Sequence, residues 1–180
     1  MKILAYNYPY TYFVIENFLP VEEYQSIKTS APQSVNWELS SQQPGQYGMI
    51  SNHQIIRKMA GKEMRNFLSK LTGVKVERHK NSIPQLRRTI GATDGVDCHT
   101  DFKCGFSVGV FLHMTTWIPE MGGELKIWSK YDHAFQLENM IQPKANTLVV
   151  MVFSEKSFHS VAPVVKGVER TTLLTEWNFV

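Results

Sequence analysis

Cysteine is scarce in this sequence: Cys98 and Cys104 are the only two among 180 residues. Two thiols cannot build a disulfide scaffold, and a bridge between them would strain the segment carrying His99. Reduced thiols and a cytoplasmic setting are therefore the expectation. Long apolar runs are missing as well. Nothing approaches the roughly 20 residues that span a bilayer, so no membrane segment is expected. The opening MKILAYNYPYTYFVIENFLP is broken by Asn7, Pro9 and Glu16 and lacks a leader-cleavage pattern. There is no internal repeat, no low-complexity tract and no dividing linker, which predicts one domain over residues 1–180. Strong charge is absent too. A net charge of +3 gives little reason to expect a nucleic-acid partner. The basic stretches KVERHK (75–80) and QLRR (85–88) suit either a phosphate-contacting patch or a solvated rim.

What the chain does have is apolar content for a substantial core, 43% of its residues. YFVIENFLP reads as a strand ending at Pro20. PVEEYQSIKTSA follows as a helix, with Pro in its first turn and Glu22 and Glu23 at its positive end. Residues 38–52 are rich in Gln, Ser, Pro and Gly and read as a surface loop or a lid over a site. Over residues 53–71, Ile56, Met59, Met64, Phe67, Leu68 and Leu71 recur at near-helical spacing, predicting one helix with a buried stripe. Beyond the following Thr-Gly the character changes. VKVERH, QLRRTI, FSVGVFLHM, GELKIW, AFQLENMI, NTLVVMVF, FHSVAPVV and RTTLLTEWNF are short β-type runs between turn residues. The expectation is an α+β fold. Residues 1–73 are largely helical support, and residues 74–180 form a jelly-roll (double-stranded β-helix) core.

The stretch DCHTD (97–101) sits at the lip of the apolar run FSVGVFLHM. In extended backbone, residues i and i+2 share a face, so His99 and Asp101 can converge on one point. That pair suits a transition metal, but so short a motif by itself reads first as a surface turn with a hydrogen-bonded His and Asp. A third ligand decides between them. His159, after the apolar run NTLVVMVF, is the candidate, because a jelly roll makes neighbours of distant strands. Two histidines and a carboxylate on one side of a metal leave its other side open, as in the facial triad of non-haem Fe(II) oxygenases. Such a site needs an anchor for an acidic co-substrate. Arg170, Thr172 and Leu174 share one strand face in ERTTLLTEW, and Arg offers a rigid fork for a carboxylate with the Thr172 hydroxyl beside it. Arg170 could instead pair with Glu169 or Glu176. Gly122 and Gly123 read as a turn without chemistry. Trp117, Trp128 and Trp177 read as core or rim aromatics. His53, His79, His113 and His133 lack a carboxylate at suitable spacing. Of these, His113, at the end of its strand, is the one best placed to face a cavity.

On HTD (99–101), WIPEMGGELKIW (117–128), QPKANTLVVMVFSEKSFHSVAPV (142–164), ERTTLLTEW (169–177) and the opening FVIENFLPVEEYQSI, the chain resembles the Fe(II)/2-oxoglutarate-dependent dioxygenases. Within them it looks most like the prolyl 4-hydroxylase-like branch, especially hydroxylases of a ribosomal protein and their bacterial and viral relatives. The resemblance implies His99, Asp101 and His159 as Fe(II) ligands and Arg170, with Thr172, as the site of the distal carboxylate of 2-oxoglutarate. It implies dioxygen as co-substrate, ascorbate as an optional reductant and hydroxylation of an unactivated C–H bond, foremost in a prolyl residue of a peptide or protein. Ile90 and Val96 stand where many prolyl hydroxylases carry tyrosines. Asp101 implies hydroxylation, since halogenases of this superfamily have a small residue in its place. Nucleic-acid demethylases carry a further Arg where this chain has Glu176, which argues against a methylated base. A free small-molecule substrate, an amino acid or sugar-type metabolite, and a non-catalytic metal-binding jelly roll are the competing expectations.

Overall fold

The computed structural model describes residues 1–40, 45–79, 82–90, 95–165 and 167–180. The first elements are β1 (Lys2–Tyr6), β2 (Tyr12–Glu16), α1 (Val21–Ser30), β3 (Glu38–Leu39), β4 (Gln46–Met49), α2 (His53–Ala60) and α3 (Lys62–Thr72). They are followed by β5 (Val76–Arg78), β6 (Gln85–Ile90), β7 (Val96–His99), β8 (Val108–His113) and β9 (Leu125–Tyr131). The chain ends with β10 (Ala134–Ile141), β11 (Thr147–Val152), β12 (His159–Val161) and β13 (Glu169–Phe179). A larger sheet runs β1-β2-β11-β8-β13-β6-β4-β3, with β5 paired to the end of β13, and a smaller one runs β10-β9-β12-β7. Pairing is antiparallel, and sequence-distant strands such as β8, β11 and β13 lie side by side. That is a jelly-roll core.

The middle of the larger sheet is buried on both faces, which explains the unbroken apolar run of β11. Leu148 and Val150 pack with Ile27, Met59 and Leu68 of the helices, while Val149 and Met151 face Leu125, Ile127 and Ile141 of the smaller sheet. A strand covered on both sides has no polar face to show. Asn146 ties this core together in left-handed backbone (φ 58°). Its side chain accepts from Leu19 N at 2.9 Å and donates to Leu19 O at 2.8 Å.

The helical layer differs from the single helix expected over 53–71. Gly61 breaks it into α2 and α3, its ψ of −170° taking the backbone out of the helical region. Asn52 caps α2 by accepting from Gln54 N and Ile55 N, and Gly73 ends α3 at φ 72°. Ile55 rather than Ile56 is fully buried, alongside Met59, Met64 and Leu68, while Ile56 packs partly buried against the same core. Residues 1–73 are also less purely helical than expected, since they supply β1 to β4 of the larger sheet. Of these, β2 is legible as the run YFVIE, whereas β1, β3 and β4 are short or exposed and carry little apolar alternation. The loop expected over 38–52 contains the β3–β4 hairpin, laid against β6; residues 41–44 of it lie outside the described residues. No helix among the described residues is long and apolar enough to cross a membrane.

Candidate active site

Between the two sheets lies a cavity of about 310 Å³. It is bordered by His99, Asp101 and His159 on one side and by Phe111, His113, Arg170, Thr172 and Leu174 on the other. His99 ends β7 and stands directly opposite His159 of β12, their rings 4.4 Å apart. Thr100 remains extended, then caps a short 3₁₀ turn (Asp101–Cys104) by accepting from Phe102 N. That single extended residue swings Asp101 to the same side as His99, as the i, i+2 spacing predicts, although the strand itself has already ended. The Thr100 hydroxyl also bonds Ser154 O at 3.0 Å and Ser157 Oγ at 2.9 Å, joining the two segments that carry the histidines.

Asp101 Oδ1 lies 3.6 Å from His99 Nε2, and Oδ2 lies 3.5 Å from His159 Nε2. One ligand atom from each of the three residues falls within 4.8 Å of the others. The far nitrogens are oriented from behind: His99 Nδ1 meets Asp97 O at 2.7 Å and His159 Nδ1 meets Ser157 O at 3.0 Å. A carbonyl only accepts, so each Nδ1 carries a proton, and each Nε2 is the nitrogen left to bind a metal beside Asp101. Burial, and then the neighbouring His159, depresses the His99 pKa, which favours the neutral imidazole a metal requires. Burial opposes the Asp101 charge, but His159, His99 and Arg87 outweigh it and hold the carboxyl below the usual carboxylate range. Two imidazoles and one carboxylate, with an open side toward the cavity, fit Fe(II).

Across the cavity, β13 alternates as expected and turns Arg170, Thr172 and Leu174 inward. Among the described residues no carboxylate lies within ion-pair distance of Arg170. Glu169 instead approaches Arg88 at 4.0 Å and accepts from the Thr171 hydroxyl at 2.8 Å. Desolvation, then Arg87, brings the Arg170 pKa down to about 10, so the guanidinium stays charged at neutral pH. Its Nε donates to Gly123 O at 2.8 Å. Gly123, read from the sequence as a plain turn residue, therefore holds the arginine. Its backbone has φ +77°, and a Cβ there would lie 2.8 Å from Arg170 Cδ. Fully buried His113 approaches the Thr172 hydroxyl through Nδ1 at 3.4 Å, and its Nε2 has no hydrogen-bond partner among the described residues. Burial, reinforced by Arg170, holds its pKa well below the ordinary histidine value. A cation, a hydroxyl and an unsatisfied imidazole nitrogen in one corner have the chemistry that suits a carboxylate.

Other expectations resolve simply. Trp177 is core, Trp128 bonds the Ser160 hydroxyl at 2.8 Å, and Trp117 lies under Lys144. Arg87, within a stretch read as a patch or rim, lines the cavity. The alternation of β6 was the available signal: Leu86 is fully buried among the residues packed with the helices, which turns Arg87 the other way.

Comparison with known proteins agrees with this geometry. No curated protein matches the chain. Among solved structures, a prolyl-4-hydroxylase of Pseudomonas putida is similar with TM-score 0.67 and 19% identity, over 93% of this chain and 91% of that one. A prolyl hydroxylase of Trichoplax adhaerens in complex with a hypoxia inducible factor peptide fragment is similar with TM-score 0.65 and 16% identity, over 93% and 83%. The non-heme alpha-ketoglutarate-dependent epimerase of nogalamycin biosynthesis reaches TM-score 0.70 at 11% identity, over 93% and 78%. Likeness at these identities establishes the double-stranded β-helix fold. The model of the 2OG-Fe(II) oxygenase superfamily matches residues 84–178, a span that contains the three metal-type ligands and Arg170, and the chain belongs to that superfamily.

Proposed function

We propose that this protein is an Fe(II)- and 2-oxoglutarate-dependent hydroxylase acting on a prolyl residue of a peptide or protein, with residues 1–180 working as one domain. The observation that carries the co-substrate assignment is Arg170. It is a partly buried cation with no ion-pair partner among the described residues, facing the cavity that His99, Asp101 and His159 border. In this reading those three side chains hold the metal. Arg170, Thr172 and His113 receive the distal carboxylate of 2-oxoglutarate. When bound, the metal and its co-substrate supply dioxygen activation driven by oxidative decarboxylation.

The chain's own contribution is geometric and electrostatic. The carbonyls of Asp97 and Ser157 keep the histidines in the metal-binding tautomer. Asp101, ionised even when metal-free, contributes the anionic ligand and leaves no place on that side for a halide. Gly123 O aims the Arg170 fork toward the cavity. A prolyl substrate is favoured by the fold shared with two prolyl hydroxylases, one of them bound to a peptide fragment.

The test is an anaerobic titration with Fe(II) and 2-oxoglutarate, following the visible metal-to-ligand charge-transfer band, on wild type, His99→Ala and Arg170→Ala. The band should vanish in the first variant and need far more 2-oxoglutarate in the second. A folded, iron-loaded wild-type protein that shows no band would leave a binding module as the better account. Mass spectrometry of prolyl peptides after aerobic turnover should then show a gain of one oxygen on proline. Turnover confined to free metabolites would redirect the substrate assignment.

A further inference from the structure

The chain between α1 and α2 builds a second cavity, of about 360 Å³, beside the first. The 3₁₀ turn Pro32–Ser34 is tied to the end of β4 by Ser51, whose N and Oγ both donate to Ser34 O, at 3.0 and 2.6 Å. β4 lies so close to the residues after that turn that a Cβ on Gly48 would fall 2.7 Å from Val35 Cβ. Tyr47 borders both cavities, so the second adjoins the space that faces His99, Asp101 and His159.

The polar groups around the second cavity offer lone pairs. Three hydroxyls border it, and each has given its proton away. Ser34 Oγ donates to Ala31 O at 2.9 Å, Ser51 Oγ to Ser34 O, and the Tyr47 hydroxyl to Glu38 Oε2 at 2.8 Å. A hydroxyl that has donated its one proton only accepts from a guest. Glu38 adds a carboxylate, and Gln33 and Asn36 each bring an amide oxygen. Among the described residues Glu38 makes no ion pair, and its hydrogen-bond partner there, Tyr47, is a neutral donor. Residues 41–44, which join β3 to β4, read Ser-Gln-Gln-Pro and contain no basic side chain. Arg87, Arg88 and Arg170 border the first cavity, and none of the three borders the second. A space ringed by acceptors and an anion suits a group that only donates, which among peptide side chains means the Lys ammonium or the Arg guanidinium. Val35 and Met49 supply apolar surface for the stem of such a side chain.

We propose that the second cavity receives a basic side chain of the polypeptide substrate and thereby sets which residue reaches the metal end. This rests on the prolyl-peptide reading above. One tyrosine side chain lies between the two spaces, and an extended chain advances about 3.3 Å per residue, so the basic residue falls roughly two to four positions from the oxidised proline. The arginines beside the first cavity disfavour the same side chain there, which fixes the register.

Calorimetry on the full chain loaded with Mn(II) and 2-oxoglutarate tests this without turnover. The probes are capped alanine peptides with a central proline and one Lys moved through the flanking positions. Each is compared with its norleucine counterpart, which keeps the four-carbon stem and drops the charge. At one position the Lys form should bind about fivefold to tenfold more tightly, between the range of an exposed ion pair and that of a hydrogen bond to a charged group. Glu38→Gln keeps an acceptor for Tyr47 and loses the charge, so it should erase the Lys preference while 2-oxoglutarate affinity stays within about twofold. Glu38→Lys should transfer the preference to the peptide with Glu at the same position. Equal affinity of Lys and norleucine forms throughout, absence of binding by every Lys peptide, or a preference that survives Glu38→Gln overturns the proposal. Mass spectrometry of the same peptides after aerobic turnover separates it from the reading it rests on. Hydroxylated proline without a Lys preference keeps the prolyl assignment and removes the basic subsite. A Glu38-dependent Lys preference without hydroxylated proline does the reverse.

Discussion

Replacing Gly123 by Ala is the most direct probe of how the backbone sets the co-substrate site. Gly123 has φ +77°, where an L-residue with a Cβ costs about 1–2 kcal/mol. The added methyl would lie 2.8 Å from Arg170 Cδ and 3.5 Å from Nε. Carbon atoms in contact keep about 3.5–4.0 Å apart, so the arginine must retreat by roughly 1 Å. The retreat stretches the 2.8 Å bond from Nε to Gly123 O and moves the fork away from the corner it shares with Thr172 and His113. Losing a hydrogen bond to a charged group costs about 1.5–3 kcal/mol, equivalent to a tenfold to hundredfold weaker hold on 2-oxoglutarate. The backbone strain should lower Tm by about 2–8 °C. The assay is the anaerobic charge-transfer titration beside a thermal melt. Gly122→Ala is the control. Its Cβ would lie 2.0 Å from the backbone oxygen of Pro163, and its nearest neighbours are backbone atoms of Pro163 and Val164, so it should cost stability more than affinity. If Gly123→Ala melts early yet binds 2-oxoglutarate within about twofold of wild type, Gly123 does not position Arg170.

Other perturbations separate metal, pH and packing. Saturating Mn(II) should raise the stability of wild type by about 2.7 kcal/mol at a hundredfold excess over Kd, and His159→Ala should lose that gain; an equal gain in the variant refutes the ligand set. His113 has a folded-state pKa depressed below its unfolded value of about 6.5. Below that pH the unfolded chain binds a proton that the fold refuses, so stability falls as pH drops, by about 1.4 kcal/mol per pH unit, and is unaffected above it. Comparing denaturant melts of metal-free wild type and His113→Asn from pH 7 to 5 isolates this contribution, because the opposing effect of Glu176 is common to both; identical slopes refute it. Asn146→Ala should cost about 3 kcal/mol or more by stranding Leu19 N and O and straining a left-handed residue. Asn146→Gly should recover only the backbone share, about 1 kcal/mol, read by urea denaturation.

Much of the site was legible because its geometry is local. His99 and Asp101 need one extended residue between them, and Arg170 and Thr172 need only strand alternation, so period-two reasoning places each pair. Residue chemistry supplied the rest of that reading, since imidazole and carboxylate donors suit iron and a guanidinium suits a carboxylate. The β-runs from QLRRTI onward were visible in the same way, through apolar content and turn residues. The break at Gly61 was harder to see, because glycine tolerates a helix interior and only its backbone angles show that the helix stops. Likewise β1, β3 and β4 owe their strand state to partners rather than to pattern, being too short or too exposed to carry one.

The sequence by itself determined which donors exist, how the near pairs among them align and which strands are apolar enough to lie inside. Only the tertiary structure decided that His159 stands opposite His99, because that depends on β12 pairing with β7 across the 59 residues between them. It alone set the carbonyl of Gly123 against Arg170. It also decided that Gln85, Arg87 and Thr89 look into the cavity. An alternating polar face ordinarily meets water, and here the second sheet covers that face and makes it the wall of the site.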